Sequence, residues 1–238
     1  MSAGIPRRFS DGKHVGAALS VAALALVVSV PLLAAQEAAP REPDVHELIA
    51  RAREVYSGIG SMRAHFEQTI EVTLLARTRT GSGRWYQKGP GRFKMDFSDP
   101  AGDVIVADGK HLWLYYPSTH PNQVIRSAIE ANVTGSGMVD LQGRIFEEAG
   151  NYEAELEGRE EVRGQSAWRI TLIPRTESPY RRVRVWIDPS DYLVRKFEIL
   201  EENETVRTVT LWDLEPGVAI PDSVFSFVPA AGSDVFEG

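Results

Sequence analysis

Apolar residues recur at Val45, Leu48, Ile49, Ala52, Val55 and Tyr56, a three-and-four spacing that places them on one face of a helix. Asp44 stands directly before this stretch with Glu47 three residues on, and Gly58 and Gly60 follow it. These are a capping-box start and a glycine stop. The period then changes to two. Ala64, Phe66, Gln68, Ile70 and Val72 alternate with His65, Glu67, Thr69 and Glu71, which predicts a strand over 64–72. Strand signals continue at 84–88 and 92–97 around Gly89-Pro90-Gly91, and at 104–106 and 112–116 around Asp108-Gly109. Asp-Gly between apolar runs is a strong hairpin signal. Further strands are predicted at 153–156, 168–173, 182–187, 193–200 and 206–211. Their turns fall at Arg163-Gly164, Asp188-Pro189-Ser190-Asp191 and 201–204. Such short, even spacing describes a meandering antiparallel sheet.

Between 123 and 150 the alternation lapses. Val124, Ile125, Ala128 and Ile129 predict one or two helical turns. Gly135-Ser136-Gly137 then breaks the chain, and Val139, Leu141, Ile145, Phe146 and Ala149 predict a second short helix. A closing strand is predicted at 224–228, before Pro229.

The first residues have a different character. Arg7, Arg8 and Lys13 precede 21 uncharged positions, 15–35, that end on Pro31, Leu32, Leu33, Ala34 and Ala35. A basic start, an apolar middle and small residues before a cut make an export signal. Residues 1–35 are therefore expected to be removed, although the stretch is long enough to span a bilayer if retained. Residues 36–43 read as a polar linker and 44–238 as a single domain.

Composition narrows the chemistry. The 238 residues are 43% hydrophobic, enough to bury a substantial core, and contain no cysteine. Disulfides, thiolate metal sites, a cysteine nucleophile and an N-terminal lipid anchor on cysteine are thereby excluded. A net charge of −7 offers no basic stripe to nucleic acid. His14, His46, His65, His111 and His120 are not paired at metal-ligand spacing, and no HExxH occurs. There is also no GxSxG elbow, P-loop or GxGxxG, so no catalytic set and no cofactor site is read. The strands carry aromatic bulk instead, including Trp85, Phe93, Trp113, Tyr115, Trp168, Trp186 and Phe197. Two readings stay open: a solid sheet core, or a curled sheet whose concave face lines an apolar cavity.

Several segments, in order, resemble the periplasmic outer-membrane lipoprotein carrier (LolA) family. They are Ser61-Met62-Arg63-Ala64-His65-Phe66-Glu67-Gln68, then Gly83-Arg84-Trp85-Tyr86, and Lys88-Gly89-Pro90-Gly91-Arg92-Phe93-Lys94-Met95. Pro100 and Asp108-Gly109-Lys110-His111-Leu112-Trp113-Leu114-Tyr115 follow, then Gln123, and finally Pro221-Asp222 with Phe225-Ser226-Phe227-Val228-Pro229 and Gly232-Ser233-Asp234-Val235. The resemblance implies an α+β, mainly β fold, an unclosed antiparallel β-barrel whose α-helical lid encloses an apolar cavity. It implies carriage without catalysis or cofactor: a monomeric periplasmic chaperone takes acylated lipoproteins from an inner-membrane ABC-type release complex to an outer-membrane lipoprotein receptor. On this basis Phe66, Trp85, Phe93, Met95, Trp113 and Tyr115 are expected in the acyl-chain cavity, with Leu112 and Leu114 taking the place of Trp113 and Tyr115 if the strand faces the other way. Leu48, Ile49, Ala52, Ile129, Ile145 and Phe146 are expected in the lid. One position departs from the family, where an arginine often precedes the proline of the Gly-Pro turn and helps to hold the lid; here it is Gly89. A lipid or lipoprotein sensor of the same fold, or a carrier of another lipid, is the alternative reading.

Overall fold

A computed structural model describes residues 42–89, 91–129, 146 and 149–238. The expected export signal, most of the linker, the 135–137 glycine triplet, and Ile145 with the rest of the second short helix except Phe146 and Ala149 lie outside the described residues.

Helix α1 spans Val45–Gly58, and its start follows from the sequence. The Asp44 carboxylate accepts the backbone N–H groups of His46 and Glu47, at 2.8 and 3.2 Å. Two amides that have no partner inside the helix are satisfied in this way. Leu48, Ile49 and Ala52 are buried along one side.

Twelve strands follow among the described residues: β1 (Ser61–Val72), β2 (Arg77–Lys88), β3 (Arg92–Asp99), β4 (Ala101–Asp108), β5 (His111–Tyr115), β6 (Gln123–Ala128), β7 (Tyr152–Val162), β8 (Gln165–Pro174), β9 (Tyr180–Ile187), β10 (Val194–Glu201), β11 (Thr205–Pro216) and β12 (Asp234–Glu237). They form one sheet in the order β12-β6-β5-β4-β3-β2-β1-β11-β10-β9-β8-β7. Two meanders, β1–β6 and β7–β11, are joined where β11 pairs antiparallel with β1. Among the described residues only β12, parallel to β6, breaks the antiparallel pattern. The sheet does not close, since β7 and β12 are its two ends.

Two expectations are corrected. Residues 124–128 belong to β6 rather than to a helix, with Ile125 opposite Leu114 and Val124 opposite Tyr115 on β5. The apolar spacing 124, 125, 128, 129 fits either period, and pairing with β5 decides it. Residues 224–228 are not a strand. Asp222–Phe225 is a 3₁₀ turn, bounded by Pro221 and followed at 229 by another proline, neither of which has an N–H to give a ladder. The closing strand lies further on, at β12.

The main core fills the inner face of the sheet. Leu48, Ile49 and Ala52 of α1 pack there with Phe66, Trp85, Phe93, Met95, Phe97, Phe197 and the inward aliphatic residues of β8–β11. A smaller cluster on the other face joins Val104, Val106, Trp113 and Val124 to Tyr115 and Phe227.

The β9–β10 turn is locked by buried charge. Arg195 donates from Nε and Nη2 to Asp188 Oδ2 at 3.1 and 3.0 Å, and also pairs with Asp191. Burial pushes the Asp188 carboxyl up, but the Ser190 hydroxyl and N–H and the Arg195 guanidinium together outweigh it and hold Asp188 below its ordinary 3.8. A carboxylate with a depressed folded-state pKa stabilises above the unfolded value, and that contribution is lost as pH falls through the folded one. Asp188→Asn is expected to lower stability by about 2–3 kcal/mol at pH 7, because Arg195 loses a buried partner. In urea melts the gap from the wild type should shrink as pH drops below 3.8. A gap that stays constant between pH 7 and pH 3 would remove the ionised pair as the cause.

Candidate functional site

Strand alternation sets what the inner face presents. On β1, Met62, Ala64 and Phe66 are buried while Arg63, His65 and Glu67 are not. Directly opposite residues of an antiparallel pair share a face. Trp85 lies opposite Ala64 on β1 and Met95 on β3, so all three point inward. The aromatic rings form a connected lining. Trp85 is tilted against Phe93 at 5.5 Å, Phe66 meets Phe97 edge-on at 4.9 Å, and Trp85 meets Phe197 of β10 edge-on at 6.2 Å. Since β2 and β10 are separated by β1 and β11 in the sheet order, the last contact spans the interior of the curved sheet.

The structure brings Phe66, Trp85, Phe93 and Met95 together on this face, with Leu48, Ile49 and Ala52 of α1 and with Ile129 and Phe146. Trp113 and Tyr115 are not there. Their expected inward placement is corrected, because Ile105 and Ala107 of β4 belong to the main core and lie opposite Leu114 and Leu112. Trp113 lies opposite Val106, on the outer face. Asp108 reinforces this arrangement. Its carboxylate accepts the Lys110 and His111 N–H groups across the turn and the Trp113 indole N–H at 2.9 Å. Burial raises the Asp108 carboxyl, but these donors and nearby His111 more than offset it and hold it low.

Tyr56 emerges as the residue that ties the helix down. Its hydroxyl accepts the Val194 N–H at 3.0 Å, and its ring stacks on Phe146 at 5.4 Å. Burial, the largest influence, pushes its phenol well above the ordinary range, so it stays protonated at any physiological pH. One side chain thus joins α1, the segment between β6 and β7, and the start of β10. The cations beside the Gly-Pro turn do not do this work. Gly89 has φ +53° and donates its N–H to the Gly60 carbonyl at 2.9 Å. Lys88 and Arg92 both pair with Asp222, at 2.6 and 3.2 Å.

Beside α1, facing β7, runs a groove of about 640 Å³, with Ile49, Phe146 and Tyr152 among its walls and His46, Arg53 and Arg175 at its rim. It is large enough for an apolar ligand chain. Among the described residues no cluster of three or more His, Asp or Glu could hold a metal ion. No helix among them is long and apolar enough to cross a membrane.

Comparison with known proteins agrees with this geometry. The chain is 26% identical over 212 residues to an outer-membrane lipoprotein carrier protein of Chromobacterium violaceum, covering 89% of this chain and 97% of that one. It is 27% identical over 215 residues to one of Alkalilimnicola ehrlichii, covering 90% and 92%. A conserved protein of uncharacterised role from Thermus thermophilus shares the fold at a TM-score of 0.50 and 15% identity, over 81% of this chain and 98% of that one. The family model described as outer membrane lipoprotein carrier protein LolA matches residues 57–228. With a mainly β, unclosed sheet and its N-terminal helix in place, this chain belongs to the LolA family of non-enzymatic lipoprotein carriers.

Proposed function

We propose that this chain is a periplasmic carrier that shields the acyl chains of lipoproteins between the inner and outer membranes. The observation that carries the reading is a helix seated on the aromatic inner face of a sheet that never closes. Acyl chains in water cost about 0.8 kcal/mol per CH₂. A carrier therefore needs a concave apolar surface and a cover that can leave it.

The inner face around Phe66, Trp85, Phe93 and Met95 supplies the surface, with Leu112 and Leu114 in the places first assigned to Trp113 and Tyr115. Helix α1 through Leu48, Ile49 and Ala52, together with Ile129 and Phe146, supplies the lid. Tyr56 is the latch. The groove along α1 and β7 is where chains first slip beneath the helix. The chain does no chemistry and holds no nucleotide. An inner-membrane ABC-type complex loads it, an outer-membrane receptor unloads it, and differences in affinity set the direction of transfer.

Native mass spectrometry of the exported chain, offered a triacylated lipoprotein in detergent below its micelle concentration, tests this reading. The expected spectrum shows a one-to-one complex that persists when detergent is stripped. A chain that stays empty, with the lipoprotein aggregating as it does alone, would overturn the carrier reading.

A further inference from the structure

Tryptophan indoles inside proteins nearly always donate their N–H to something, because the group is donor-only and a buried unpaired donor is costly. On the outer face an acceptor is at hand: the Trp113 N–H reaches Asp108, and that of Trp186, though it completes no hydrogen bond, lies beside the Glu160 carboxylate. On the inner face none is. Trp85 is only 1% exposed, yet its Nε1–H has no acceptor among the described residues. Its cross-strand neighbours are Ala64 and Met95, and its ring contacts are Phe93 and Phe197. None of these side chains carries an oxygen, and an aromatic face is a weak acceptor at best.

We propose that this donor is kept for the cargo: the Trp85 indole N–H binds an ester carbonyl oxygen of an acyl group held in the interior. The proposal rests on the carrier reading and deepens it. Hydrocarbon tails offer no acceptor, so a surface evolved for tails alone gains nothing from an indole there, and phenylalanine would fill the place without an orphaned N–H. An ester carbonyl is the acceptor that every acylglycerol headgroup brings with it. Seating it at Trp85 draws the linkage between tail and glycerol inside the sheet rather than leaving it at the rim. It also gives the site a reason to distinguish acyl lipids from other greasy molecules of the same size, since a polar group unpaired in the empty site is paired only by the right ligand.

Two probes separate the possibilities, 1,2-dioctanoylglycerol and its 1,2-dioctyl ether, which lacks both carbonyls. The ether is the more apolar of the two, so an interior that merely attracts hydrocarbon prefers the ether. With the full exported chain, wild type is expected to bind the ester about tenfold more tightly than the ether. Trp85→Phe is expected to lose this preference and to bind the ester no more tightly than the ether. With ¹⁵N-labelled indoles, the Trp85 N–H resonance should move downfield on adding the ester and not on adding the ether. The comparison of probes on wild type needs no variant, so it stands even if Trp85→Phe folds poorly. Equal binding of the two probes by wild type, or an ester preference that survives in Trp85→Phe, overturns the proposal while leaving the carrier reading intact. Failure of wild type to bind either probe overturns both.

Discussion

Ala52→Asp is expected to lift α1 off the sheet without melting the sheet. Ala52 is fully buried between the helix and the inner face. A carboxylate there would be set among the apolar side chains that Ala52 clusters with, Leu48, Ile49 and Phe146 included. Burying it unpaired costs several kcal/mol, about 3–5 by analogy with broken buried ion pairs. The helix has a cheaper course, which is to undock and leave the aspartate in water. The sheet keeps its own ladder of antiparallel pairs on both sides of β1, so far-ultraviolet circular dichroism should retain its β signal. Fluorescence of an apolar dye should rise as Phe66, Trp85 and Phe93 become accessible. Ala50→Asp, on the exposed side of the same helix, controls for charge and helix propensity and should change neither signal. If Ala52→Asp loses its sheet signal in one cooperative step, α1 is an integral part of the core and the lid idea fails. If the dye sees no difference, the helix has absorbed the charge without moving, with the same consequence.

How much of this was legible beforehand depends on the range over which each feature is decided. The α1 cap is local: Asp44 bonds amides two and three residues away, and a chain read four residues at a time shows it. The strands that alternate cleanly are legible for the same reason, and Phe66, Trp85, Phe93 and Met95 stand on them between mostly polar neighbours. Alternation alone says that Trp113 and Leu112 face opposite ways but not which faces inward. That is settled by Ile105 and Ala107 on the adjoining strand, and so by register rather than composition. β6 hid behind a spacing that suits both periods, and β12 is a four-residue Asp-Val-Phe-Glu run whose partner lies 111 residues away at the Arg126–Glu237 pair. Tyr56 was visible as one more apolar position on a helix. Its hydroxyl contact with Val194, across 138 residues, was not. The orphaned indole of Trp85 could not be read at all, because absence of a partner is a property of the folded interior alone.

The steepest loss of stability is expected at a residue with no side chain. Gly83 sits on β2 where pairing with β3 slips, the register passing from Ser82 opposite Asp99 to Gly83 opposite Phe97. At that irregularity the backbones come so close that a Cβ on Gly83 would be 2.0 Å from the Asp96 carbonyl oxygen and 2.9 Å from the Phe97 Cα. Both atoms are backbone and cannot rotate away. Alanine there must spread β2 from β3, breaking ladder bonds and pulling Phe97 off the ring of Phe66, which it meets at 4.9 Å. Overpacking usually costs about 1–3 kcal/mol, and a clash with fixed backbone belongs at or above the upper end. About 3 kcal/mol in a chain of this size corresponds to a fall of roughly 6–12 °C in Tm. Gly58, where a Cβ meets nothing within 4 Å, provides the comparison. Gly58→Ala should be neutral or slightly stabilising through the lower entropy of its unfolded chain. Differential scanning calorimetry of the two variants decides the matter. A Gly83→Ala protein that melts within a degree or two of wild type would mean that β2 and β3 are not held so close, and that the aromatic lining does not depend on their approach.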